Sequence, residues 1–410
     1  MNKPSLQKRD IVIVGLQPWD VDLGSNCKNI ALVFSKSNRV LYVNSPLDRK
    51  TYLTQGTDEK VRKRIKIVRG QEDGLRKVAH NIWELYPEKI IESINWIRLP
   101  WLFDKLNRRN NKTFAGCIER ALHKLQFNNI ILFNDNDIFR SFHLRELLKS
   151  TVSIYYSRDF LLGVDYWSRH GRRLEPKLIA GSDVCVANSS FLARYCKQYN
   201  ERSYNVGQGC DLSIFIPSDS KQTPSDLKNV TGPVIGYVGA LQSIRINIKI
   251  IEHIAVSRPE WSVVLVGPED DVFKNSGLHT YKNIFFTGPK ELDELPLYIE
   301  AFDVCLNPQS LNAVTEGNYP RKIDEYLAMG KPVVATQTEA MQIFANYCYL
   351  AINTHDYVEL IEKALREDNP ELKRIRREFA STHTWENSVA EIYGAILDIQ
   401  QNKDVSNFEN

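Results

Sequence analysis

No run of apolar residues in this chain approaches the length that a membrane-crossing helix needs. Cysteine is sparse and unpatterned. Residues 27, 117, 185, 196, 210, 305 and 348 make seven, an odd number, with no C-x-x-C pair. That distribution argues against a zinc module and for reduced thiols in a cytoplasm. Strong charge of either sign is also missing, the net being +3. The first apolar run, IVIV, leads into GLQPWD rather than G-x-G-x-x-G. The phosphate turn that a dinucleotide-dependent oxidoreductase requires is therefore absent. MNKPSLQKRD runs straight into that apolar segment without a secretory h-region and cleavage site, so a cytoplasmic location is expected.

What remains is an ordinary globular composition, 43% hydrophobic and 25% charged over 410 residues, enough for two domains that each bury a core. Short apolar runs recur: DIVIVGL, VLYVNSP, NIILFND, VSIYYSRD and DVCVANS in the first half. Helical periods such as 26–36 separate them, which predicts an α/β, doubly wound parallel sheet. Residues 217–232, PSDSKQTPSDLKNVTG, have the composition of a linker. The α/β rhythm then restarts with VIGYVGAL, WSVVLVGP, NIFFTG and VCLNP. The expected domains are 1–216 and 233–384. The stretch from Lys50 to Lys124 is less regular and reads as inserted structure.

Charge is uneven. Between Lys60 and Lys124 there are sixteen Lys and Arg against seven Asp and Glu, interleaved with Trp83, Trp96, Trp101, Leu102 and Phe103. Basic residues beside Trp and Leu suit peripheral contact with anionic headgroups, and equally a solvated face above a core. No nucleic-acid motif accompanies the charge.

The most informative stretch is TEGNYPRKIDEYLAMGKPVVAT, Thr315 to Thr336. Pro320 is placed to open a helix, Gly330 to close it with positive φ, and Val333 to Ala335 to form a buried strand. Lys322 and unpaired N–H groups at the helix start favour a diphosphate, and Glu325 lies three residues on, on the same side, to accept ribose hydroxyls. The same residues also fit an amphipathic helix packed by Ile323, Tyr326 and Leu327, with Lys322 and Glu325 as a surface pair.

Pro320 to Val334 matches P-x-K-x-x-E-Y-L-A-x-G-K-P-V-V, and here the chain resembles retaining GT-B glycosyltransferases similar to glycosyltransferase family 4, also called group 1. The resemblance implies two Rossmann-like domains facing a cleft, with donor on the second and acceptor on the first. It also implies a last helix, 385–410, crossing back to complete the first domain. Glu325 would contact the ribose and Lys322 the diphosphate. The family's second Glu falls at Gly317, one residue past Glu316, which becomes the candidate beside the donor sugar. Gly239 begins a segment where the family has G-R-x-x-x-x-K. Arg245 takes the last basic position, and Ala240 stands where the first Arg would be.

Sugar transfer needs fixed cations aimed at the departing diphosphate, a role for Lys322 and Arg245. Gly24 with Ser25, after the first strand, would approach the donor phosphates, since Gly admits close backbone contact. Thr315 and Asn318 can cap the donor helix or bind the sugar and phosphate. Asp159 ends a strand, where open α/β sheets place ligands, and is assigned to the acceptor side. His80 is a lone exposed histidine to which no role is given. The strings 135–137 (Asp-Asn-Asp) and Asp270-Asp271 have metal-like spacing, but the resemblance is to a metal-independent fold, so turn and capping roles are expected.

The reading is therefore a glycosyltransferase moving a sugar from a UDP- or GDP-sugar to a saccharide or lipid-linked saccharide, with no cofactor beyond the nucleotide-sugar co-substrate. A nucleotide-sugar epimerase of the same fold, and a non-catalytic sugar- or membrane-binding scaffold, are the alternatives.

Overall fold

The apolar runs become buried parallel strands. A computed structural model describes residues 3–20, 25–54, 58–218, 223–312, 315 and 319–408. It comprises two units, Met1–Gly207 with Trp385–Asn410, and Gln208–Thr384.

The first unit holds β1 (Asp10–Val14), β2 (Arg39–Val43), β3 (Leu75–Ala79), β4 (Ile82–Leu85), β5 (Ile131–Asp135), β6 (Val152–Ser157), β7 (Val184–Ala187) and β8 (Ser203–Asn205). Their order is β3-β4-β2-β1-β5-β6-β7-β8, parallel except for the β3–β4 hairpin. Every residue of β1, β5 and β6 is buried, as expected of strands covered on both faces. The C-terminal helix, Trp385–Phe408, is part of this unit. Its Val389, Ile392, Tyr393 and Ile396 pack with Ile13, Phe34 and Phe133, and the Tyr393 ring stacks on Phe34 at 5.4 Å.

The second unit holds β9 (Val234–Val238), β10 (Ser262–Val266), β11 (Ile284–Gly288), β12 (Val304–Asn307), β13 (Val333–Thr336) and β14 (Tyr349–Ala351), in the order β11-β10-β9-β12-β13-β14, all parallel. Each sheet reverses its strand order at one point, between β1 and β5 in the first and between β9 and β12 in the second. Ligands of open parallel sheets sit beyond the carboxyl ends of the strands at such a point.

Three expectations differ from the structure. The unit boundary falls at Gly207/Gln208, ahead of the linker-like 217–232. Phe215 and Leu227 are buried in the second unit's core, and Asp226 binds both Lys290 (2.8 Å) and the Tyr298 hydroxyl. The donor-segment helix spans Lys322–Ala328, beginning two residues after Pro320, because the Pro320 carbonyl first accepts from Ile323 N in a tight turn. Finally, the described residues of 50–124 include the hairpin and a 26-residue helix, Pro100–Leu125, with 86–99 forming neither helix nor strand between them.

Candidate active site

The second unit gathers most of the predicted donor residues at its switch point. β9 ends at Val238, whose N–H donates to the Tyr326 hydroxyl (2.8 Å), fastening the helix 322–328 to the strand end. Gly239 follows at φ +138°, a conformation that favours glycine. A Cβ there would lie 2.9 Å from Lys322 Nζ and 3.0 Å from the Tyr237 hydroxyl. Lys322 uses that space, its ammonium 3.9 Å from the Tyr237 ring centroid and hydrogen-bonded to the Tyr237 hydroxyl. The helix stops in a Schellman arrangement at Gly330 (φ +74°), with Lys331 N donating to Tyr326 O and Gly330 N to Leu327 O.

The loops after β9 and β12 are stitched together beside this helix. Ser310 N donates to Arg245 O (2.8 Å) and Asn312 Nδ2 to Ile244 O (2.7 Å). Thr315 is buried. Its hydroxyl accepts from Asn312 N and donates to Ser310 O, and its carbonyl accepts from Gln309 Nε2 (2.8 Å). Thr315 thus shapes the loop rather than capping the helix, whose N-cap is Arg321. Arg245 is exposed, and its guanidinium has no partner among the described residues.

Glu325 accepts no hydrogen bond from any described residue. Burial pushes its carboxyl up to about 6 despite Arg321 and Lys322, and Asp324 adds to the rise. A desolvated carboxylate without a donor suits sugar hydroxyls, which would supply those hydrogen bonds. Its neighbour Asp324 is wholly buried, with one oxygen 2.6 Å from His383 Nδ1 and the other accepting from the Tyr319 hydroxyl at 3.0 Å. Sequence reasoning missed Tyr237, Tyr319, Asp324 and His383 as supports. The signal available for Tyr237 was its place two residues before Gly239, at the end of an apolar strand.

Ser25 and Asp159 lie in the first unit, at the carboxyl edge near its own switch point. Ser25 caps the helix Asn26–Ser35 through Lys28 N (3.1 Å). Asp159 pairs with Arg158 (2.9 Å), which also binds the buried Asp135 (2.7 Å). The Asn136 side chain accepts from the backbone N–H groups of both Arg158 and Asp159. Asp137 accepts from the N–H groups of Phe139 and Arg140 and pairs with the Arg140 side chain, while Asp270 caps the short helix 271–274. His80 is exposed at the hairpin turn. Gly24, Glu316 and Asn318 lie outside the described residues.

Two sheets of this topology, with a Lys- and Glu-bearing helix at the second switch point, define a class, and comparison with known structures identifies it as the GT-B fold. Sucrose-phosphate synthase from Thermosynechococcus elongatus superposes with a TM-score of 0.68 at 13% identity, covering 96% of this chain and 100% of that one. HepE from Anabaena, solved in complex with UDP and glucose, gives 0.62 at 16% identity, covering 95% and 99%. Residues 232–367, within the second unit, match the family profile described as Glycosyl transferases group 1. A curated relative is TuaH of Bacillus subtilis (strain 168), whose name provisionally assigns it to teichuronic acid biosynthesis as a glycosyltransferase. It is 30% identical over 226 residues, 52% of this chain and 56% of that protein, so the match spans about half of each.

Proposed function

We propose that the protein transfers a sugar, with retention of anomeric configuration, from a UDP- or GDP-sugar to a saccharide or lipid-linked saccharide in surface polysaccharide synthesis. The observation that carries this reading is the convergence of Gly239, Lys322 and Glu325 beyond β9, where Lys322 already bonds to Tyr237 and Glu325 awaits donors. HepE was solved with UDP and glucose, which supports a nucleotide-sugar donor here. TuaH supports a polysaccharide product.

In this reading Glu325 grips the ribose, while Lys322 and Arg245 stabilise the charge that grows on the diphosphate as it leaves. The bond from the anomeric carbon to the β-phosphate oxygen breaks, and its electron pair departs with the nucleoside diphosphate. The acceptor oxygen bonds to that carbon from the same face, and its proton passes to the departing phosphate. Glu316, Asn318 and Thr315 would lie beside the sugar, Gly24 and Ser25 near the phosphates, and Asp159 on the acceptor side. No metal is required by this scheme. The enzyme would work in the cytoplasm, with peripheral membrane contact through 60–124. Among the described residues no helix is long and apolar enough to cross a membrane.

Thermal-shift titration with UDP- and GDP-sugars, with and without EDTA, tests this reading, because a ligand held only by the folded state raises the melting temperature. The shift should collapse in Glu325→Ala and Lys322→Ala, and an undiminished shift in both refutes the site.

A further inference from the structure

A cavity of about 640 Å³ is lined wholly by residues of the first unit. Residues from 46–54, 91–96, 139–140 and 165–169 line it, so it sits beyond the carboxyl ends of β2, β4, β5 and β6. Its wall is aromatic, formed by Trp96, Phe103, Phe139, Tyr166 and Trp167, with Phe139 stacked on Trp167 at 5.2 Å. Aromatic faces interleaved with amides and carboxylates are the surface that a saccharide stacks on and hydrogen-bonds to. Asn95 Oδ1, on this lining, is shielded from solvent and has no hydrogen-bond partner among the described residues.

The mouth of the cavity is unusual for a soluble surface. Of the eight large hydrophobic side chains exposed among this unit's described residues, six are Leu53, Trp96, Leu99, Trp101, Val164 and Tyr166. Leu53, Trp96 and Tyr166 come from the lining segments, Val164 directly precedes one, and Leu99 and Trp101 lie in the short stretch between the lining residues Trp96 and Phe103. Trp96 is 73% exposed and Trp101 65%. Hydrogen bonds hold the segments side by side, Asn95 Nδ2 to Tyr166 O at 2.7 Å and Lys50 N to Ser93 Oγ at 3.0 Å.

The helix that starts at this rim continues the pattern. Over its first half the exposed side chains after Pro100 are Trp101, Lys105, Arg108, Arg109 and Lys112, and its first exposed acid is Glu119. Asp104 is clamped by both Arg173 nitrogens (2.6 and 2.8 Å), and Arg108 pairs with Glu146. Lys105, Arg109 and Lys112 form no ion pair with any described residue. By contrast, the earlier basic run is used internally. Lys63 reaches Asp20, Lys66 reaches Glu72, Arg76 reaches the buried Glu84, and Arg64 lies over the Tyr86 ring.

Unpaired cations next to exposed Trp and Leu form the pattern of a helix that rests at the boundary of headgroups and acyl chains. Leu53, Leu99 and Val164 favour acyl chains over nucleic acid, since aliphatic side chains offer no stacking platform to bases. Resting on the glycosyltransferase reading above, we infer that this face seats on an anionic bilayer and that the cavity takes an acceptor saccharide carried by the bilayer's lipids. The basic excess between Lys60 and Lys124 thereby narrows to the first half of one helix and the cavity rim.

The full chain is tested by sedimentation with phosphatidylglycerol vesicles containing brominated phosphatidylcholine, which quenches tryptophans that reach the acyl region. Wild type should sediment and be quenched at low salt. Partition should fall at least about tenfold in Lys105→Glu/Arg109→Glu/Lys112→Glu and in Trp96→Ser/Leu99→Ser/Trp101→Ser. Transfer from the sugar nucleotide into vesicle-borne lipid extract should fall with the second variant while its UDP thermal shift stays unchanged. Absence of wild-type sedimentation, equal partition of the variants, undiminished transfer, or preference for an oligonucleotide over vesicles overturns the inference. Loss of UDP binding in wild type with docking intact would instead defeat the glycosyltransferase reading alone.

Discussion

Lys322 lies over Tyr237, its ammonium 3.9 Å from the ring centroid, in space that exists because residue 239 has no side chain. The cation is therefore held at the end of β9 before any ligand arrives. Pre-positioned charge of this kind loses little freedom on binding.

Gly239→Ala tests that arrangement. The methyl group would stand 2.9 Å from Lys322 Nζ, on a backbone with φ +138°. Forcing an L-residue into this region costs about 1–3 kcal/mol. We expect a lower melting temperature and at least a tenfold weaker UDP interaction, about 1.4 kcal/mol. Calorimetric titration showing wild-type affinity would mean that Lys322 can do its work elsewhere.

Lys322→Met separates packing from charge. The variant keeps an apolar stem against Tyr237, so stability should change by no more than about 1 kcal/mol. A hydrogen bond to a charged group contributes about 1.5–3 kcal/mol, so UDP should bind roughly 10- to 150-fold more weakly. Uridine, which lacks the diphosphate, should bind both proteins alike. Equal losses for UDP and uridine would assign Lys322 to the nucleoside instead.

Much of this site was legible because its backbone devices are local. Gly330 and the apolar run after Pro332 mark the helix end and the strand, and both form as expected. The role of Asp324 was hidden, because an acid in a first helical turn ordinarily faces solvent, whereas this one turns inward to His383, 59 residues away. The helix 100–125 was obscured by polar residues on its buried face. Asn107 and Asn111 both donate to Phe139 O, and Asn111 accepts from His143 N, so the apolar period is broken where polar groups bind a loop. β3, LRKVA, is a partly exposed edge strand without the apolar run that marks the central ones. The 217–232 segment has linker composition, yet a buried Leu227 and the Asp226 pairings fix part of it to the second unit.

Glu325 makes stability and binding respond oppositely to pH. Its carboxyl is pushed from an ordinary 4.5 to about 6, chiefly by burial. The folded protein thus binds more protons than the unfolded chain between these values. The stabilisation is fully present below pH 4.5 and is lost as pH rises through about 6. A shift of this size corresponds to at most about 2 kcal/mol. Glu325→Gln should therefore be more stable than wild type at pH 7, by up to about 2 kcal/mol, with the advantage vanishing below pH 4.5. Wild-type UDP affinity should fall as pH drops through about 6, where the carboxylate that accepts ribose hydroxyls is protonated, and the variant should bind weakly at every pH. Denaturant melts and titrations across that range decide it, and a Gln variant less stable at pH 7 would contradict the assignment.

Asp324 and His383 should behave as one unit. The carboxylate is fully buried between the imidazole at 2.6 Å and the Tyr319 hydroxyl at 3.0 Å, and burial raises its proton affinity above the usual carboxylate range. Removing one member of a buried pair leaves the other with only the Tyr319 hydroxyl, and breaking such a pair costs about 3–5 kcal/mol. Asp324→Ala should lose that much in urea melts. His383→Phe should also destabilise, but Asp324→Ala/His383→Phe should cost less than the sum of the two. Neighbours in one hydrogen-bond network show interaction energies of about 0.5–3 kcal/mol in such a cycle. Because Asp324 precedes Glu325 directly, the single Asp324 variant should also weaken UDP binding at temperatures where it remains folded. Strict additivity of the two substitutions would show that the contact does not hold the donor helix, and would leave Glu325 positioned by its own backbone alone.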